Sequence, residues 1–320
     1  MANEERIHTS VASHAGGVFL AMIRESEETL AGATALAHLA HHSQGLHNFS
    51  VDRLAPDDPR RTELVALGRR LSLLHKDFSD SLRGARTASL IRMVLQTSEG
   101  AAICTSVQPG DLIVGVTFAK SGEELLPGMP EVVSADSAVA RLSTGLRART
   151  RQPSYNPGGW ETAGDEFSPF IGSVEPVASL RVPGARGAGR MEDALKEVLR
   201  RRELHFVAYH VDGQVAVAGD TFDAPELAPF FVQISAGVRR RFYSSFSREL
   251  SASVTSLNRT LTPMPGGRLL RLVLDVEQGA VYYYRLGAGR YLFGVTLDQS
   301  RVAHADLHMA ELARLMAADE

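Results

Sequence analysis

The feature that most constrains this chain is that part of it is written twice. Residues 90–121 lie over residues 269–300 at a constant offset of 179, without a gap. Eleven of the 32 positions are identical, including Arg92/Arg271, Gly100/Gly279 and the shared Gly-Val-Thr that ends IVGVT and LFGVT. Composition alone would give roughly two or three identities. A second block reads at offset 187, placing Phe19, Ala21, Ala31, Gly32 and Thr34 over Phe206, Ala208, Ala218, Gly219 and Thr221. The order of the blocks is the same in both halves, which predicts an internal duplication. On this alignment the first half carries eight extra residues, read as an insert near 38–57.

The second half gives the clearer unit. Met191, Leu195, Val198 and Leu199 have helical spacing. ELHFVAYHVDGQVAVAG reads as two strands around Asp212-Gly213, a hairpin signal. From Pro225, the residues Leu227, Phe230, Phe231, Ile234, Val238 and Phe242 read as one face of a long helix. Three strands follow, with turns at Gln278-Gly279 and 287–289, then a helix over 304–317. The predicted order is α-β-β-α-β-β-β-α. In the first half, GGVFLAMI and TLAGATAL take the place of the first two strands. Asp58-Pro59 opens the long helix, with Leu64, Leu67, Leu71, Leu74 and Phe78 inward, and the last helix lies near 134–147. Between the halves, residues 149–190 hold five prolines, seven glycines and the single tryptophan, Trp160; this is a linker composition. Phe167, Phe170 and Ile171 are the apolar residues expected to pin it to a surface.

This order of elements, with Gly213 in the first hairpin and a strand pair ending in YLFGVTL before a terminal helix, resembles a Roadblock/LC7 domain. The resemblance covers both halves. It implies an α/β (α+β) fold of two tandem Roadblock/LC7-like (profilin-like) domains, each a five-stranded, mainly antiparallel sheet flanked by helices. The expected boundaries are 1–148, a linker at 149–190, and 191–320. It also implies partner binding rather than catalysis: a scaffold or regulator of a separate small Ras-like GTPase, paired within itself as a pseudo-dimer or as a homo-oligomer. It brings no catalytic residues with it.

The bulk numbers narrow the partners. Net charge is −3, so no general attraction to nucleic acid or anionic membrane is expected. The arginines outnumber the three lysines tenfold, which reads as the codon usage of a GC-rich bacterial genome. One cysteine, Cys104, excludes an intramolecular disulfide and a cysteine-based zinc site. No run of about 18 apolar residues and no signal-peptide core occur, so a cytoplasmic location is expected.

No catalytic constellation is visible, and no cofactor is expected. His38, His41 and His42, with His47 beyond them, fall at spacings that put the first three near one helix face, where two could ligate a metal. A solvated face of a short inserted helix is the plainer account. His304 and His308 match no metal motif. None of the three lysines stands in the Gly-Lys-Ser/Thr ending of a phosphate-binding loop, and Gly287-Ala-Gly289 lies between strands rather than before a helix. The interface candidates are Arg200, Arg201, Arg239 and Arg240, from two arginine runs, and Tyr282 and Tyr284, which share a strand face. Tyr283 points the other way. Two further readings stay open: a small-molecule-sensing pair of α/β sheets, and a metal-dependent enzyme using the His38/His41/His42 group.

Overall fold

The computed structural model describes residues 7–120, 122–161, 177–181, 188–261 and 268–317. Its first half places β1 (His8–Val11), α1 (Leu20–Gly32), β2 (His38–Ser43), β3 (Leu46–Asp52), α2 (Arg60–Leu82), β4 (Leu90–Gln96), β5 (Gly100–Gln108), β6 (Asp111–Phe118) and α3 (Pro130–Arg149) in that order. The second half repeats the order as β7 (Val177–Arg181), α4 (Ala188–Arg200), β8 (Phe206–Val211), β9 (Gln214–Asp220), α5 (Ala236–Thr260), β10 (Arg271–Val276), β11 (Gly279–Gly287), β12 (Arg290–Thr296) and α6 (Val302–Ala317).

The strands form one antiparallel sheet of twelve, ordered β1-β3-β2-β6-β5-β4-β10-β11-β12-β8-β9-β7. The fold class is mixed α/β, as expected. Each half adds an edge strand to the five that were expected, and the two sheets are continuous. They meet where β4 pairs with β10. Val94 lies opposite Val273, Leu95 opposite Leu272, and Gln96 opposite Arg271. Val94 and Val273 are corresponding residues of the two halves, so the seam has the register of a local twofold axis.

Two apolar layers sandwich the sheet. On one side α1, α3, α4 and α6 cover Val94, Ile103, Val273 and Tyr282. On the other, α2 and α5 cover Met93, Leu95, Leu272 and Phe293. The central strands are buried on both faces, which explains their near-continuous apolar runs.

Several local expectations are corrected. Leu20–Gly32 is a helix, not two strands, because Ile23, Ser26 and Leu30 recur at helical spacing toward the core. The offset-187 block therefore sets a helix over a strand and is a chance match. The segment read as an insert is the first hairpin itself. Its turn, Gln44 (φ 49°) and Gly45 (φ 81°), has the two left-handed residues of a type I′ turn, as do Asp212 (φ 48°) and Gly213 (φ 76°). At the true offset of 168, His42, Gly45 and Asp52 lie over His210, Gly213 and Asp220.

In the second half the long helix starts at Ala236, not Pro225. Residues Pro225–Phe231 form a 3-10 turn with Pro229 inside it, and Ser235 caps the helix by accepting the Val238 amide. The face of α5 that is buried is consequently Tyr243, Phe246, Leu250 and Leu257. In the first half α2 keeps Leu64, Leu67, Leu71 and Phe78 buried, and Asp58 accepts the Arg60 amide at 2.9 Å just before it. Of the linker residues, Phe167, Phe170 and Ile171 lie outside the described residues. Among the described residues, no helix is long and apolar enough to cross a membrane.

The duplicated Gly-Val-Thr has a packing cause. A Cβ on Gly115 would overlap the Val139 side chain of α3, and one on Gly294 would lie 2.6 Å from the Met309 sulfur of α6. Both glycines let a helix lie close on the sheet. Gly115→Ala is expected to cost about 1–3 kcal/mol by overpacking. Gly32→Ala, with open space around it, is expected to be neutral or stabilising; urea unfolding of the two variants checks the contrast.

Candidate interaction surface

At the seam, LIRMVL and LLRLVL each bury an arginine. Arg92 donates through Nε to Asp275 Oδ2 across the seam at 3.0 Å, and through Nη1 to Asp136 of α3. Arg271 answers it: Nη1 donates to Gln96 across the seam at 3.3 Å, and the guanidinium pairs with Asp306 of α6. Gln96 corresponds to Asp275, so the two halves make matching contacts with one exchange of amide for carboxylate. Burial alone would lower the pKa of Arg92, but Asp136 and Asp275 outweigh it and hold the guanidinium charged. Asp275 also accepts the Gly158 amide at 2.6 Å, so the first part of the linker is tied to the same group.

On the opposite side of the seam α2 and α5 approach each other. The end of α2 meets the start of α5 where Gly84 lies against the Phe242 ring; a Cβ there would sit 2.6 Å from Cε2. Arg239, buried, donates to Ala85 O at 3.1 Å and lies over the Phe231 ring. An open groove runs between these elements, lined by Arg83, Gly84, Arg86, Ile234, Ser235 and Val238. Leu73 on α2 is 62% exposed, and Val232 beside the groove 84%.

The six sequence-derived interface candidates do not form one surface. Arg200 and Arg201 lie at the end of α4, paired with Glu197 and with Glu311 of α6, on the far side of the sheet. Arg240 holds Asp220 and Asp223. Its counterpart is Arg61 with Asp52, the same ion pair in the first half. Arg239 is an internal strut between the halves. Tyr282 and Tyr284 are corrected outright: they are buried beneath α6, with hydroxyls donating to Val302 O at 2.9 Å and to Asp306 Oδ1 at 2.6 Å. Strand alternation sent them inward because that face is covered by a helix.

The histidines are corrected too. His38, His41 and His42 lie in β2, not on a helix, and all are buried. Alternation puts His38 and His42 on the α2 side, with His42 beneath Gly68, and His41 on the other, stacked against Phe49. Asp52, the nearest carboxylate to His38, is taken by Arg61 at 2.8 Å. Among the described residues, no three His, Cys, Asp or Glu side chains form a metal-holding group. Burial is the main cause that lowers His38 to about 4 and His42 to about 3, and it lowers His75 of α2 and His210 of β8 to about 4.

No protein-family model matches the sequence, and no curated protein matches it. Among the solved structures with some likeness are three of MglB proteins. One, described as MglB with tetrameric arrangement, is 18% identical, with 45% of this chain and 96% of the neighbour covered and a TM-score of 0.33. The gliding protein MglB of Thermus thermophilus is 17% identical, with 46% and 100% covered and a TM-score of 0.31. Myxococcus xanthus MglB is 10% identical, with 42% and 96% covered and a TM-score of 0.28. Likeness at this level assigns no function to any residue here.

Sequence reasoning paired Arg92 with Arg271 but gave them no role. The signal was present: an arginine within an apolar strand must find buried carboxylates. Arg92→Met would leave Asp136 and Asp275 without their cation, and a loss of about 3–5 kcal/mol is expected. Arg61→Met, at a partly exposed pair, is expected to lose less; urea unfolding of both variants decides. The histidines predict acid lability. Their folded pKa values are depressed from the usual 6.5, so their contribution is complete above pH 6.5 and is lost as pH falls toward 4. Each removes up to about 1.4 kcal/mol per pH unit over that window. The melting temperature should fall from pH 6.5 to 4.5, and less steeply in a His38→Gln/His42→Gln variant.

Proposed function

We propose that this chain is a non-catalytic interaction scaffold or regulator built as an internal pseudo-dimer. Its two Roadblock-like units would be the β1–α3 half and the β7–α6 half, so that β7 and the start of α4, inside the expected linker 149–190, belong to the second unit; it would act on a separate small Ras-like GTPase. The observation that carries the reading is the β4–β10 seam, where corresponding valines face each other and Arg92 and Arg271 reach across in matching contacts. A pairing surface used up within one chain leaves the helical faces for a partner. The α2/α5 face is the docking side in this reading. It offers an exposed apolar side chain at Leu73 of α2, and a groove in which Val238 lies with the cations Arg83 and Arg86.

Biolayer interferometry against the small Ras-like GTPases of the same genome, loaded with GDP or a non-hydrolysable GTP analogue, tests it. Binding that depends on the nucleotide state is expected, with a Leu73→Glu variant at least about tenfold weaker. Absence of binding to every such GTPase in both states would refute the GTPase reading.

A further inference from the structure

The β11–β12 turn opens a cleft of about 360 Å³ against α5, and its chemistry differs from that of the α2/α5 groove. Arg268, Arg285 and Arg290 line it, together with Tyr283 of β11 and Ser251 and Asn258 of α5. The backbone makes room for the cations. A Cβ on Gly287 would lie 3.0 Å from Arg290 Nη2, so that guanidinium lies across a bare stretch of main chain. Arg285 is held by its Nε donating to Gly287 O at 3.2 Å. One carboxylate, Asp212, also lines the cleft and offsets part of the charge.

The duplication supplies the control. In the first half the same turn has the same register: Ser106 faces Leu112 and Gln108 faces Asp111, as Arg285 faces Tyr291 and Gly287 faces Arg290, with the same irregularity between them. One backbone therefore carries Cys104, Ser106 and Asp111 in one half and Tyr283, Arg285 and Arg290 in the other. The fold does not need the arginines, since it forms without them. Arginines that line one polar cleft can donate forked, charge-assisted hydrogen bonds to the oxygens of a phosphate group.

We propose that the cleft between the β11–β12 turn and α5 binds a small phosphate-bearing molecule through Arg268, Arg285 and Arg290, and that the corresponding turn of the first half does not. The site is separate from the α2/α5 groove and does not depend on a GTPase partner.

Isothermal titration of the full chain with inorganic phosphate, pyrophosphate and ADP tests this. Saturable one-to-one binding of at least one of them is expected, weakening as salt is raised. Arg285→Gln and Arg268→Gln are each expected to weaken it by about 10-fold or more, since each loses charge-assisted hydrogen bonds. Arg285→Lys should lose less, and Arg70→Gln, on the exposed face of α2, should bind as the parent does. The preference among the three probes tells a bare phosphate group from a nucleotide. Melting temperatures without ligand show whether each variant is folded. No saturable binding of any probe, or equal binding by the folded Arg285→Gln and Arg268→Gln variants, would overturn the proposal.

Discussion

The pair of buried arginines at the β4–β10 seam is the constraint on which the rest of this structure depends. A guanidinium inside a sheet is tolerable only when carboxylates and amides surround it. Here those partners come from two places: the facing strand and the last helix of the same half. Arg92 thus ties β10, through Asp275, and α3, through Asp136, while Gly158 joins through the same aspartate. The charge makes the seam specific in register: a slip of one residue would turn Arg92 and Asp275 to opposite faces. The apolar contacts around it supply most of the burial, and the arginines decide which pairing is allowed.

The two faces of the sheet then diverge in use. Beneath α3 and α6 the halves are joined by Arg92 and Arg271, which reach across the seam to Asp275 and Gln96. Beneath α2 and α5 they are joined mainly by Arg239 and the Gly84–Phe242 contact, and the groove beside these stays open. The two halves share some features and differ in others. The Asp52–Arg61 and Asp220–Arg240 pairs are retained in both, whereas the turn after β5 and the turn after β11 share a backbone and differ in charge.

Much of the fold was legible. The helical spacing of Met191, Leu195, Val198 and Leu199, the Asp212-Gly213 turn and the 179-residue repeat all correspond to structure in place, because each is set by local geometry. The first hairpin was missed because His38, His41 and His42 mimic helical spacing, and because polar histidines suggest solvent. They are buried neutral imidazoles, and that state is imposed by the helix lying on them. Arg239, Tyr282 and Tyr284 are buried for the same reason. Exposure belongs to what packs on a residue, and neighbouring sequence does not record it.

By itself, then, the sequence determined the repeated unit, the central strands and the positions where a glycine must admit a helix, since periodicity, turns and close approach are local and sterically strict. Tertiary structure alone decided that the two sheets fuse into one, that Arg92 and Arg271 lock the seam, and which turn gathers the cations. Those outcomes rest on contacts between residues far apart in the chain, such as Arg92 and Asp275 or Arg239 and Ala85. Only the folded chain brings such charges close enough, and dry enough, to choose a partner.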